Sequence, residues 1–426
     1  MRTERFDKMK VSVLTLGCRT NQSESDVIQG NLKNFGWSKV DLTESPDYCV
    51  INTCAVTAKS DYQSRQLIRR AARSGGKVIV TGCYSQLNRD EVENMQGVFK
   101  VVSNANKSHI ISMITNRNIS STFIPTNRSR PYLKIQDGCN HACTYCCVPF
   151  SRGRSRSISV SEVIRQAMEI NAAGYHEVVI TGINLGSYGY DLRPQSKLSD
   201  LLKIIIKKTT IRRIRLSSIE IKDIDNELIE LLQDERICRH IHLPLQSGNN
   251  KILRLMKRMY TSNDYITVVE KILKKVPDIA IGTDIIAGFP GEGSTEFRNT
   301  MRLLDNLPIT YIHSFPFSKR PNTLASEMAT QNTSATKRER VNELKALSER
   351  KKMAYMASQV HKIRDIIIEE HGSDDTSVGT SSNYLKVKIR SNGYRKGSLV
   401  RVRISSVEEN HLKGELVEIT QANDFK

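Results

Sequence analysis

Large aromatic side chains are scarce in this chain: it has one tryptophan, and Phe, Trp and Tyr together make up 6% of its 426 residues. Stacking of exposed bases on aromatic rings, a common route to RNA recognition, therefore has few candidates, and composition singles out none. Long apolar runs are missing as well. No stretch reaches the ~18 uncharged apolar residues of a membrane helix, so no membrane partner is expected. The opening residues, Met1-Arg2-Thr3-Glu4-Arg5-Phe6, are charged and contain no apolar signal core, which points to a cytoplasmic location. Acidic residues are in deficit, with 45 Asp and Glu against 64 Lys and Arg and a net charge of +19. That excess favours a polyanionic partner, because each neutralised phosphate releases condensed counterions. A solubilising surface gives the same balance.

Cysteine, in contrast, is plentiful. The nine are Cys18, Cys49, Cys54, Cys83, Cys139, Cys143, Cys146, Cys147 and Cys238. A disulfide framework is not expected in a cytoplasmic chain of this length, which leaves metal or redox use.

Periodicity divides the chain into three blocks, read as domains over 9–125, 126–358 and 359–424. The first alternates strands (Val11–Leu16, Tyr48–Ile51, Val78–Thr81, Phe99–Val102) with helices (Ser23–Asn34, Ala58–Arg73), the rhythm of a small open parallel α/β sheet. A polar stretch, Thr115–Arg130, reads as a linker. The second block repeats the rhythm with strands at Glu177–Ile180, Arg213–Leu216, His240–Leu243, Ile279–Gly282 and Tyr311–Phe315, and helices such as Val160–Ala173. Repeated βα units predict a full or partial (β/α) barrel, closed by a charged helix over Lys337–Ala357. In the third block, Tyr384–Arg390 and Leu399–Ile404 alternate apolar and basic residues, which predicts a small antiparallel β-barrel with one buried and one basic face. That face suits a nucleic-acid backbone; an ordinary solvated face is the competing reading. The fold class is α/β with this β-barrel appended.

The strongest local signal is Cys139-x3-Cys143-x2-Cys146. Three close thiolates can hold three irons of a [4Fe–4S] cube, whose usual complement is four cysteines, leaving one iron open for chemistry. Cys147 is a competing fourth ligand, although it would share a tight turn with Cys146. A zinc knuckle recruiting His141 is the other alternative, but structural zinc favours four ligands in paired spacing. A second constellation is dispersed: Cys18, Cys54 and Cys83 each follow a predicted strand, and in an open parallel sheet those ends gather where ligands bind. A second three-thiol cluster is expected there. Cys49 and Cys238 fall in or beside strands and read as core residues.

The triplet, with Tyr145 before its last cysteine, resembles the radical S-adenosylmethionine (SAM) superfamily motif. The resemblance implies that SAM binds the open iron through its amine and carboxylate and is cleaved reductively to a 5′-deoxyadenosyl radical. Cys139, Cys143 and Cys146 would be the catalytic cluster ligands. Tyr145, Thr181, Gly182, Asn184, Gln246, Ser247, Thr283 and Asp284 would contact SAM; all but Tyr145 lie at predicted strand ends, where such barrels place chemistry. The turn Gly288-Phe289-Pro290-Gly291 is weak evidence alone.

Taken with Thr15-Leu16-Gly17-Cys18-x2-Asn21-x2-Glu24-Ser25, Asn52-Thr53-Cys54 and Thr81-Gly82-Cys83, nearly the whole chain is similar to the methylthiotransferase family. Its basic tail resembles that family's TRAM domain, an RNA-binding β-barrel. The resemblance implies two [4Fe–4S] clusters and two SAM molecules per turnover, with Cys18, Cys54 and Cys83 as ligands of the second cluster. It implies a methylthio group placed on C2 of adenosine 37 in the tRNA anticodon loop, with an electron donor such as flavodoxin or ferredoxin and a sulfur donor as partners.

The stretches Asn52–Asp61, Ser64–Ala71 and Phe315–Pro321 resemble the branch acting on N6-threonylcarbamoyladenosine. The isopentenyladenosine branch, the ribosomal-protein branch and a non-catalytic iron–sulfur RNA-binding protein are the alternatives. Cys147 departs from the family pattern, which has an aliphatic residue there. Arg65, Arg69, Arg70, Arg152, Arg154 and Arg156 are candidate RNA or substrate contacts.

Overall fold

The structure, a computed structural model, describes residues 9–116, 128–372, 374–391 and 393–417. Most of the expected linker Thr115–Arg130, and the 125/126 boundary within it, lies outside these residues, as does the end of the third block.

The first unit is a parallel sheet of β1 (Lys10–Thr15), β2 (Ser38–Lys39), β3 (Tyr48–Thr53), β4 (Lys77–Gly82) and β5 (Val98–Val101), ordered β2-β1-β3-β4-β5. Its central strands carry unbroken apolar runs because both faces are covered. Cys49, Ile51, Val78 and Val80 pack against Ile68 and Ala71 of the helix Ala58–Ala72. Val11, Val50 and Ile79 pack on the other face against Ile28 and Leu32 of the helix Arg19–Asn34, with Ile110 and Ile111 beside them. That helix begins four residues before the expected Ser23, directly after Cys18.

The second unit contains β6 (Tyr132–Lys134), a short antiparallel ribbon of β7 (Gln136–Asp137) and β8 (Arg156–Ser157), then β9 (Glu177–Thr181), β10 (Arg213–Leu216), β11 (His240–His242), β12 (Ala280–Ala287) and β13 (Tyr311–Pro316). The parallel trios β6-β9-β10 and β11-β12-β13 are joined by a parallel Ile214–Ile237 bridge, giving a partial (β/α) barrel whose strands run in chain order. β6 was invisible to periodicity, being three residues long.

The third unit is a closed barrel of β14 (Ile363–His371), β15 (Thr376–Ser381), β16 (Lys386–Arg390), β17 (Leu399–Val407) and β18 (Leu412–Leu416). Its pairings are antiparallel except β16 with β18, which run parallel and close the barrel. Ile366, Val387, Ile389, Val402 and Ile404 fill it. The basic face is partly neutralised: Lys386 pairs with Glu369, Lys388 with Asp374 at 3.2 Å and Arg401 with Asp365 at 3.2 Å. The alternating pattern revealed the cations but not the acids that β14 and the next turn set beside them.

Three arginines fasten this barrel to the second unit. Glu177, fully buried at the start of β9, pairs with Arg215 at 2.7 Å, Arg213 at 2.6 Å and Arg130 at 3.4 Å. Each arginine also reaches the small barrel: Arg130 pairs with Glu369, Arg213 donates to the backbone carbonyls of Asp365 and Thr380, both at 3.0 Å, and Arg215 to those of Ser382 at 3.0 Å and Ser381 at 2.9 Å. Burial alone would raise the Glu177 carboxyl; the three guanidiniums outweigh it and lower it to about 2.

Removing one partner of a buried ion cluster leaves charge uncompensated. Glu177→Ala is expected to destabilise the protein by about 3–5 kcal/mol in urea denaturation. Because the folded carboxyl titrates below its usual 4.5, its contribution is complete above that pH and is lost as pH falls toward about 2. The stability difference between parent and E177Q should therefore shrink across that window.

Candidate active site

Cys18, Cys54 and Cys83 stand at the C-terminal ends of β1, β3 and β4, adjacent strands whose loops therefore lie side by side. Gly17 has φ +94°, and a Cβ there would sit 2.7 Å from both Cβ and Sγ of Cys54. Asn21 clamps two of the loops, its amide donating to Leu16 O at 2.8 Å and Thr53 O at 2.9 Å. Thr53 ties in the third, its hydroxyl donating to Thr81 O at 2.6 Å and accepting from Ser85 N at 3.2 Å. Burial pushes the Cys54 thiol up, with Cys83 and Cys18 adding to the effect.

The Cys139–Cys146 loop springs from the β7–β8 ribbon. Gly138 has φ +71°, and a Cβ there would lie 2.1 Å from Arg154 O, so only glycine fits. The Cys139 N–H donates to Gly153 O at 3.1 Å and the Cys146 N–H to Cys143 O at 3.1 Å. Gln136, which the sequence did not single out, donates to Gly138 O at 2.7 Å while its carbonyl accepts from Ile183 N at 2.9 Å and Asn184 N at 2.8 Å. It thereby joins the thiol loop to the strand end at Thr181–Asn184. Arg258, also unforeseen, donates to Cys143 Sγ at 3.4 Å and pairs with Glu220. Burial raises Cys139 and Cys146, the latter strongly. Tyr145 meets Phe289 edge-on at 6.4 Å, which gives the Gly288–Gly291 turn a packing role.

Both thiol trios line one cavity of about 1270 Å³, together with Tyr145, Thr181, Gly182, Asn184, Gln246 and Asp284. Two expected SAM contacts stay outside its lining. Ser247 is fully buried against the Thr300 hydroxyl at 3.3 Å, and the Thr283 hydroxyl donates to Leu243 O at 2.8 Å and accepts from Leu245 N. Strand alternation turns Thr283 into the core and its neighbour Asp284 into the cavity. Asp284 receives His242 Nε2 at 3.0 Å and His313 Nδ1 at 3.4 Å, which outweigh burial and hold its carboxyl well below the usual range.

The donor sets also discriminate between metals. Among the described residues, only His242, Asp284 and His313 bring three His, Cys, Asp or Glu ligand atoms within 4.8 Å of one another. Neither thiol trio is that compact, whereas thiolates on one zinc stand about 3.8 Å apart given Zn–S bonds near 2.3 Å. Three thiols apiece match the donors of a [4Fe–4S] cube left one short of its usual four cysteines, and neither trio is gathered around a single zinc-sized point among the described residues. Cys147 is buried, its thiol donating to Ala55 O at 3.4 Å, and it does not line the cavity; Cys49 and Cys238 are buried too.

A buried charge network locks the trios together. Glu24, on the helix that starts after Cys18, pairs with Lys107, with Lys134 of β6 at 2.6 Å and with Arg152 at 2.8 Å. Arg152 also pairs with Asp137 at 2.9 Å, so Glu24 grips both flanks of the Cys139–Cys146 loop. Burial alone would raise the Glu24 carboxyl; the three cations hold it well below the usual range. Arg152, expected as an RNA or substrate contact, lines the cavity but has no exposed side-chain surface and is taken up by Glu24 and Asp137. Arg65 donates to the Tyr84 hydroxyl at 3.2 Å, while Arg69, Arg70, Arg154 and Arg156 are exposed. Two of the branch-like stretches meet each other, Asp61 pairing with buried Arg320 and Ala58 N donating to Ser318 Oγ at 3.0 Å.

A partial (β/α) barrel that carries a three-cysteine loop at the mouth of a shared cavity defines a radical SAM enzyme. Residues 133–304 match the Radical SAM superfamily model, and residues 10–104 match the one described as Uncharacterized protein family UPF0004. The fold is similar to that of the radical SAM methyltransferase TsrM from Kitasatospora setae, with a TM-score of 0.56 and 15% identity, covering 75% of this chain and 77% of that one.

Two similar curated proteins are threonylcarbamoyladenosine tRNA methylthiotransferases MtaB. That of Aquifex aeolicus (strain VF5) is 38% identical over 93% of this chain and 100% of its own length. That of Bacillus subtilis (strain 168) is 35% identical over 96% and 97%. A tRNA-2-methylthio-N(6)-dimethylallyladenosine synthase of Thermoanaerobacter sp. (strain X514) is 31% identical over 95% and 92%. The chain belongs to the radical SAM methylthiotransferase family, in its MtaB-like branch, and as a radical SAM enzyme it uses a [4Fe–4S] cluster and SAM.

Glu24→Gln should leave Arg152 and Lys107 undercompensated. A fall of about 3–5 kcal/mol in unfolding free energy is expected, accompanied by a lower iron content after anaerobic reconstitution. Parent-like values for both would contradict the role given to Glu24.

Proposed function

We propose that the protein is a tRNA methylthiotransferase that places a methylthio group on C2 of N6-threonylcarbamoyladenosine at position 37. The carrying observation is that two separate thiol trios open on one cavity lined by both the sheet and the barrel. The MtaB names of the relatives in Aquifex and Bacillus support the substrate.

In this reading Cys139, Cys143 and Cys146 hold the cluster that binds SAM, and Cys18, Cys54 and Cys83 hold an auxiliary one. When bound, these groups supply the one-electron and sulfur chemistry that general acid–base catalysis cannot bring to an unactivated aromatic C–H. The chain's own contribution is placement. Tyr145, backed by Phe289, lines the cavity with the first trio, Gln136 sets the Thr181–Asn184 strand end beside it, and Arg258 offers a cation to Cys143. The Glu24 network fixes the distance between the trios, so a base held between them meets both.

Residues 9–125, 126–358 and 359–424 act as auxiliary-cluster, radical SAM and RNA-binding units. The last grips the tRNA beyond the anticodon loop through its basic face. The enzyme works in the cytoplasm with an electron donor of the flavodoxin or ferredoxin type and a separate sulfur donor. Dimethylallyladenosine is the second substrate reading, on the strength of the Thermoanaerobacter relative.

Reconstituted protein should hold about eight irons per chain, and about four in Cys54→Ala. C54A should still cleave SAM to 5′-deoxyadenosine yet fail to deliver sulfur, whereas Cys143→Ala should lose SAM cleavage altogether. Nucleoside mass spectrometry of tRNA from cells lacking the gene is expected to show loss of the methylthio mark on threonylcarbamoyladenosine. Loss from dimethylallyladenosine in its place would transfer the assignment to the second reading.

A further inference from the structure

The cavity's two carboxylates are already engaged: Glu220 pairs with Arg258, and Asp284 is held by His242 and His313. Arg19, the residue after Cys18, also lines the cavity, and no carboxylate forms an ion pair with it among the described residues. Its guanidinium is instead held by two hydroxyls, donating to Tyr384 OH at 3.0 Å and to Ser217 Oγ at 3.5 Å. A hydroxyl orients a guanidinium without cancelling its charge.

The other cations of the lining with no acid partner among the described residues are placed differently. Lys59 and Arg338 are exposed, and Lys337 lies 5.2 Å over the Phe317 ring.

Tyr384 is itself firmly set. It reaches in from the C-terminal barrel with φ +67°, a backbone region that bulky residues rarely adopt. Its ring lies 4.5 Å from His240, with the buried Arg215 guanidinium 5.2 Å from its centroid. Ser217 follows β10. Elements of all three units therefore converge on one guanidinium, fix its direction and leave it charged.

We propose that Arg19 is the specificity-determining residue for the N6 substituent, receiving the carboxylate of the threonylcarbamoyl group, with Tyr384 and Ser217 positioning it. This rests on the substrate reading above and deepens it. A threonylcarbamoyl group ends in a carboxylate, which a planar guanidinium matches with paired donors; a dimethylallyl group is apolar and would leave Arg19 desolvated with nothing to bind.

The test uses the full-length reconstituted enzyme and three anticodon stem-loops. One carries threonylcarbamoyladenosine at position 37, one the same nucleoside with its carboxylate converted to the primary amide, and one dimethylallyladenosine. The parent enzyme should prefer acid to amide by about 10- to 100-fold in kcat/KM, as expected for a charge-assisted hydrogen bond. In Arg19→Met that ratio should collapse to near one, and Arg19→Lys should restore part of it. Equilibrium binding of the acid and amide loops reads the same ratio without turnover. A merely structural role would weaken both loops alike and preserve the ratio in R19M, which would overturn the proposal, as would a parent enzyme indifferent to the amide. If the parent instead modifies only the dimethylallyl loop, the substrate reading itself falls.

Discussion

Everything in this cavity depends on the burial of Glu24 among cations drawn from distant parts of the chain. A carboxylate removed from water is unfavourable unless paired, and here it pairs with Lys107 of the first unit and with Lys134 and Arg152 of the second. Those cations sit on the flanks of the two thiol systems, so satisfying one charge also sets the separation of six sulfurs. A hydrophobic joint of similar area would hold the units together but would tolerate sliding. The charge-assisted hydrogen bonds of an ion network are directional and short in range, which makes it better suited to keeping two reactive centres in register.

Local chemistry was legible in the sequence; long-range chemistry was not. The strands showed because apolar runs of four to eight residues are visible one at a time; Cys18, Cys54 and Cys83 showed because each follows such a run, and Cys139, Cys143 and Cys146 by their spacing. Lys134 lies on a strand too short to have a period, and Arg258 and Gln136 sit in segments with no pattern at all. Their roles come from partners far away in the chain, such as Cys143 for Arg258 and Ile183 for Gln136. Asn21 and Glu24 belonged to motifs carrying a family resemblance, yet only the fold shows that they are clamps. Thr283 lies outside the cavity because alternate residues of a strand point to opposite sides, whereas Ser247 lies beyond its strand, next to Gln246 with φ +70°, and its hydroxyl turns to Thr300.

The positive charge of the chain is likewise distributed in a way that composition conceals. Several arginines work inside the protein, on Glu177, Glu24, Glu220, Glu292 and Asp61, where they bind units or loops together. Counting cations therefore overstates the surface available to a polyanion. The exposed remainder, including Arg69, Arg70, Arg154, Arg156 and the outer face of the small barrel, is the part that an RNA could meet.

The joint between the small barrel and the rest has a consequence for how such a protein can change over time. Arg213 and Arg215 hold the barrel by peptide carbonyls, which every residue type supplies. Apart from Glu369, which pairs with Arg130, and Tyr384, side chains on that seam can drift without loosening it, provided the strands keep their course. The appended module is thus free to be redecorated for new RNA shapes while its attachment stays constant.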